Sequence, residues 1–338
     1  MKPSANTTSS RRSILLASAT ALVCVGLPAL GQTQTQALAG GFPSKPVRIV
    51  VPFAAGGVGD LTARTVGQEL SKLLGQGVVI ENRPGAGGVV AAETVARAEP
   101  DGHTLLLMSN GTAVSAGLFA KLPFDTVRDF APVSTLGTFD IAVVAGAESP
   151  FKTLGDVIAF AKANPGKLNV GSINIGSTQH LTAELFKATA DIDVQVVPFN
   201  GTPALVNALR GRQVDVAVEI LGPTLTHVKA GALRVLATTG TRRASLLPDV
   251  PTAREAGVKD LVASSWNALA APAKTPRAVV DRLARDVATA LASAEVKQKL
   301  ANLNVDAQTA TPEQTAELLA ADIKRWTGVI DRAGIPRQ

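Results

Sequence analysis

From Val47 onward the chain repeats one pattern, and that pattern limits the fold more than any other feature of the sequence. A short apolar run is followed by a turn rich in glycine or small hydroxyl residues, and then by apolar residues at helical spacing. "VRIVVPF" leads through Pro52–Asp60 into "LTARTVGQELSKLLG", where Val66, Leu70, Leu73 and Leu74 predict a helix over 61–74 that Gly75 ends. "GVVIEN" then precedes "RPGAGGVVAAETVARA", and "HTLLLMSN", "FDIAVVAG", "LNVGSI", "VQVVPFN" and "VDVAVEIL" read as further strands, most of them leading into helical stretches. Strands that are apolar on both faces need helices on both faces, so the alternation predicts an α/β protein with parallel-rich sheets flanked by helices.

The final third differs. "TPRAVVDRLARDVATALAS", "AEVKQKLANL" and "TPEQTAELLAADIKRWTGVIDRAG" read as consecutive helices with no strand between them, capped at Thr275-Pro276, Ser293 and Thr311-Pro312. The 338 residues suffice for about two domains, yet no linker or low-complexity stretch divides them. Two domains would therefore share the chain discontinuously. No repeat of fixed period is present.

The first 39 residues read as an export signal. Arg11 and Arg12 precede an apolar stretch from Ile14 to Leu30, and Ala37-Leu38-Ala39 has the small-x-small form of a cleavage site. The paired arginines fit a twin-arginine signal and also an ordinary secretory one. This segment carries Lys2, Arg11 and Arg12 and no acid, so its removal lowers the formal net charge from +6 to +3. A chain of that charge, with no tyrosine and 4% aromatic residues, offers little to nucleic acid. Cys24, the single cysteine, also lies in the leader, leaving the exported protein without a thiol, a disulfide or a thiolate metal site.

Ligands of open α/β sheets sit beyond the carboxyl ends of the strands, where loops enter helix N-termini. Four turns of this chain fall there. The first is Phe53, Ala54, Ala55, Gly56, Gly57, Val58, Gly59 and Asp60, whose glycines expose backbone N–H groups suited to a carboxylate or phosphate. It matches neither a Walker loop nor G-x-G-x-x-G, and a plain capping turn with Asp60 as N-cap is the competing reading. The others are Ser109, Asn110 and Gly111; Gly176, Ser177, Thr178, Gln179 and His180; and Phe199, Asn200, Gly201 and Thr202 ahead of Pro203. Each alone reads as a capping turn. Together they suggest convergence on one small polar ligand.

Catalytic signatures are sparse. His103, His180 and His227 are far apart and form no metal motif, and there is no G-x-S-x-G elbow. No cofactor is expected. Ser177, His180 and Glu219 are the only set from which an exported enzyme acting on a carboxylate could be assembled. The simpler readings are capping for Ser177 and a solvated strand end for Glu219.

Several stretches resemble, in collinear order, the Bug family of periplasmic solute-binding proteins, receptors of tripartite tricarboxylate transporters. They include "FPSKPVRIVVPFAAGGVGDLTAR", "LGQGVVIENRPGAGGVVAAETVARAEPDGHTLLL", "VPFNGTPALVNALRGRQVD" and "LLPDVPTAREAG". The resemblance runs from about Phe42 to the end. It implies a two-domain Venus-flytrap fold of the type II-like periplasmic binding kind, with residues 43–144 plus 264–338 as one domain and 145–263 as the other. It also implies a non-enzymatic, monomeric receptor that closes over a small carboxylate and delivers it to membrane transporter subunits or a sensor protein. The loop at 52–60 would hold a carboxylate, with the turns at 176–180 and 199–202 and the segment containing Glu219 and Ile220 lining the other side. The chain departs from the family pattern at Ala54, Ala55, Val58, Gly59, Phe199, Glu219 and Ile220. These changes make the cleft less polar and point to a partly apolar carboxylate. Asp60 remains open to a ligand ammonium or to capping.

Overall fold

The computed structural model describes residues 41–332 and 334–338; the leader reading, with Cys24, lies outside the described residues. Among the described residues ten strands join in the order β2-β1-β3-β9-β4-β7-β5-β6, with β8 and β10 also pairing β4. One end of the sheet holds β1 (Val47–Val51), β2 (Val78–Asn82) and β3 (Thr104–Ser109), connected by α1 (Val58–Leu74) and α2 (Val89–Ala96). α3 (Asn110–Leu118) follows and leads to β4 (Phe130–Gly146). The other end holds β5 (Leu168–Ile173), β6 (Val194–Phe199), β7 (Val216–Ile220) and β8 (Leu233–Thr238), interleaved with α4 (Leu154–Ala163), α5 (Thr178–Thr189), α6 (Thr202–Arg210) and α7 (Leu221–Lys229). The chain then returns through β9 (Ser264–Pro272), α8 (Arg277–Ala292), α9 (Ala294–Asn302), β10 (Val305–Asp306) and α10 (Pro312–Arg332).

Pairing is parallel at the two outer ends, β1 with β2 and β3, and β5 with β6 and β7. It is antiparallel wherever β4 or β9 takes part, so the sheet is mixed. β4 is the joint. Phe130–Asp140 pairs with β9, while Ile141–Gly146 pairs with β7 and β8. One strand thus belongs to two half-sheets, A and B.

Local chemistry accounts for the element ends. Gly75 closes α1 at φ 65°, in the left-handed region, as its position predicted. Thr153 and Asp156 form a reciprocal capping box on α4, and Thr311 with Gln314 does the same before α10. Ser293 makes no side-chain cap despite its position. The buried side chains of β1, β3, β4 and β9 form a continuous core with α1, α3, α8 and α10, and a second cluster lies under α6 and α7. One expectation about the final third changes: the two-residue β10 intervenes before the last helix. "SSWNALAAP", ahead of those helices, is a central strand.

Candidate functional site

The carboxyl ends of β1 and β3 in half-sheet A face those of β5, β6 and β7 in half-sheet B, and a narrow, nearly closed cleft with a free volume of about 20 Å³ lies between them. Its lining includes Phe53, Ala54, Gly57, Val58, Gly59, Ser109, Thr178, Gln179, Gly201, Thr202 and Ile220, all singled out in the sequence. The turns nearly touch across it. A Cβ on Gly57 would stand 3.3 Å from Thr202 Oγ1, and one on Gly201 would stand 2.7 Å from Ala54 Cβ. Gly201 also has φ 92°, which other residues rarely adopt.

Asp60 does not cap α1. The helix begins at Val58, its N-cap is Gly57 without a side-chain cap, and Asp60 lies in the first turn. Its carboxylate, 2% exposed, accepts from the Gly56 N–H at 2.9 Å, Arg64 Nε at 3.1 Å and Asn82 Nδ2 at 3.0 Å. Asn82 Nδ2 also donates to the Phe53 carbonyl at 2.9 Å. Burial would raise the Asp60 pKa, but the hydrogen bonds from Arg64, Gly56 and Asn82 outweigh it and hold the group below the usual carboxylate value. The side chain therefore braces the loop from beneath and does not line the cleft. Facing the cleft are Gly57, Val58 and Gly59, at the start of α1, where the first N–H groups of a helix have no acceptor within it. Ala55 and Gly56 sit at the exposed tip.

The turns of half-sheet B are tied together by one acid. Glu219 is 1% exposed, and its Oε1 accepts from Gln179 Nε2 at 2.9 Å and from the Ile220 N–H at 2.7 Å. It is therefore a buried brace, and the solvated-strand-end reading is corrected. Burial raises its pKa, against the hydrogen bonds that Oε1 accepts from Gln179 and the Ile220 N–H; Oε2 has no hydrogen-bond partner. Ser177 caps α5, donating from Oγ to the Ile173 carbonyl at 2.8 Å and accepting the His180 N–H at 3.1 Å. His180 is buried, and desolvation lowers its pKa to about 4. The serine hydroxyl is thus engaged with backbone, and no hydrogen bond joins it to an imidazole nitrogen. The Ser177, His180 and Glu219 set does not assemble into a nucleophile–base pair.

Further contacts cross between the halves. Thr178 Oγ1 donates to Asn110 Oδ1 at 3.0 Å and lies 3.2 Å from Ser265 Oγ. Asn110 Nδ2 and Trp266 Nε1 both donate to Asp322 Oδ2, each at 2.6 Å. Ser109 caps α3 by accepting the Gly111 N–H. Gly176, at φ 84°, packs against Gly87, where a Cβ would come within 3.0 Å of Gly87 Cα. Phe199 is half-buried against the second apolar cluster, and Asn200 is exposed. Four lining residues were not singled out in the sequence: Phe139, Ile173, Ser265 and Asn267. Alternation along "SSWNA", which puts Ser265 and Asn267 on one face, was the available signal for two of them.

The lining contains neither lysine nor arginine. Among the described residues no group of three or more histidine, cysteine or acidic side chains is placed to hold a metal, and no helix is long and apolar enough to cross a membrane. What the cleft offers an anion is backbone N–H groups, helix N-termini, hydroxyls and amides.

Comparison with known proteins gives a consistent answer. The sequence profile of the tripartite tricarboxylate transporter family receptor matches residues 62–335. Protein BugT of Bordetella pertussis is 35% identical over 295 residues, covering 87% of this chain and 90% of that protein. The periplasmic binding protein BugD superposes with a TM-score of 0.85 at 29% identity, covering 88% of this chain and all of BugD. MatC from Rhodopseudomonas palustris, solved with bound malate, superposes with a TM-score of 0.82 at 35% identity over 86% of this chain and all of that one.

Proposed function

Because the chain belongs to the tripartite tricarboxylate transporter receptor family, we propose that it is an extracytoplasmic receptor that closes two lobes over a small carboxylate and carries out no covalent chemistry on it. The lobes are residues 43–144 with 264–338, and residues 145–263. The change in β4 pairing after Asp140 supports a division close to these limits. The leader would deliver the protein to the periplasm. There it would act as a monomer and hand its ligand to membrane transporter subunits or a sensor protein.

The observation that carries this reading is the convergence of N–H-bearing turns from both half-sheets on one cation-free cleft. Each hydrogen bond to an ionised carboxylate is worth about 1.5–3 kcal/mol. The donors lie on opposite lobes, so a ligand that touches both favours the closed arrangement over the open one. BugD and MatC support the reading by their names, as a periplasmic binding protein and a malate-bound structure.

A thermal-shift screen of residues 40–338 against aliphatic, aromatic and amino-acid carboxylates tests it. A ligand at 100 times its Kd adds about 2.7 kcal/mol to stability, which gives a clear rise in Tm. Gly57→Val, which pushes a side chain toward Thr202, should unfold near the wild-type temperature while losing most of that rise. A cooperatively folding protein that responds to no carboxylate, or that responds equally to the matching uncharged amides, would sink the proposal.

A further inference from the structure

β9 runs along the floor of the cleft with Ser265 and Asn267 on one face, while Trp266 points the other way to Asp322. In register, Asn267 stands between Ser109 of β3 and Gly137 of β4. Other polar side chains near it are hydrogen-bonded: Ser265 is within hydrogen-bond distance of Thr178, Gln179 donates to Glu219, and Asn110 joins Thr178 to Asp322. Asn267 differs. It lines the cleft and is 1% exposed, yet neither Oδ1 nor Nδ2 has a hydrogen-bond partner. A buried amide left unpaired at both ends is costly, and a ligand that satisfies both ends removes that cost.

Resting on the carboxylate reading above, we propose that Asn267 sets ligand specificity, with Nδ2 donating to a carboxylate oxygen and Oδ1 accepting from a hydroxyl or ammonium on the adjacent carbon. Both amide atoms are attached to one carbon, so the groups they meet must sit side by side on the ligand. A plain carboxylate only accepts hydrogen bonds and leaves Oδ1 unpaired. A 2-hydroxy or 2-amino acid supplies the acceptor and the donor together. Turning the amide over exchanges the two partners and changes nothing else. The apolar lining, with Phe139, Ile173 and Ile220, is left to accommodate the rest of the molecule.

The test is calorimetric titration of wild type and Asn267→Leu with matched acids: propionate against lactate and alanine, succinate against malate and aspartate, and phenylacetate against mandelate. Leucine keeps the shape of asparagine and removes both polar atoms; Asn267→Ala removes the same atoms and serves if the leucine variant does not fold. In wild type, at least one substituted acid should bind about 10-fold or more tightly than its parent, and that preference should collapse toward unity in the variant. Equal affinity within every pair, or a preference that survives in both variants, would overturn the role of Asn267 while leaving the receptor reading intact. Failure of every acid to bind folded wild type would overturn both.

Discussion

Burial keeps the His180 imidazole neutral, with its pKa lowered to about 4 against an ordinary 6.5. In the unfolded chain this residue takes up a proton as the pH falls through 6.5, while in the folded protein it does so only near 4. The unfolded state therefore binds more protons across that window, and stability falls as the solution is acidified through it. The shift is worth about 3 kcal/mol, fully present above pH 6.5 and lost by pH 4. Urea midpoints at pH 7.0 and 4.5 should drop less in His180→Gln than in wild type; equal drops would mean the imidazole is not held neutral. Sequence reasoning found the loop glycines because spacing exposes them. It misread Asp60 and Glu219, whose partners, Asn82 and Gln179, lie 22 and 40 residues away. A cap and a buried brace look alike until the fold brings such partners together.

At the scale of elements, Asp322 of α10 joins β9 to α3 by accepting from Trp266 and Asn110, and Asn110 in turn reaches Thr178 of α5. Asp322→Ala strands an indole N–H and an amide in buried surroundings. Leaving a buried donor unpaired costs about 1–3 kcal/mol, so the variant should be less stable by about 3 kcal/mol in denaturant titration. A loss below about 1 kcal/mol would show that the bridge contributes little. The β1–α1 and β5–α5 units were legible because their apolar runs and turn residues follow standard periods. β9 was not, because Ala268, Ala270 and Ala271 carry little strand preference. All three are buried in the middle of the sheet, where neighbouring strands select small side chains. The antiparallel pairing of β4 was likewise invisible, since periodicity does not encode strand direction.

For the molecule as a whole, β4 runs unbroken from one half-sheet into the other, so loss of either half leaves the end of that strand in the other unsupported. Unfolding of residues 40–338 should therefore give one calorimetric transition with equal calorimetric and van't Hoff enthalpies; two resolved transitions would show that the halves melt separately. Fold class was readable from the βα alternation and the two-lobed form from the family resemblance. Sheet order was not, because β9 enters the first half-sheet from the far side of the sequence. That placement also sets an order of assembly. As the chain emerges from a ribosome or a translocation pore, β5 to β8 are complete while the gap between β3 and β4 still waits for residues 264–272. The half that begins first must finish last, so β1 to β3, with their apolar faces incompletely covered, are the stretch on which a holding chaperone would act.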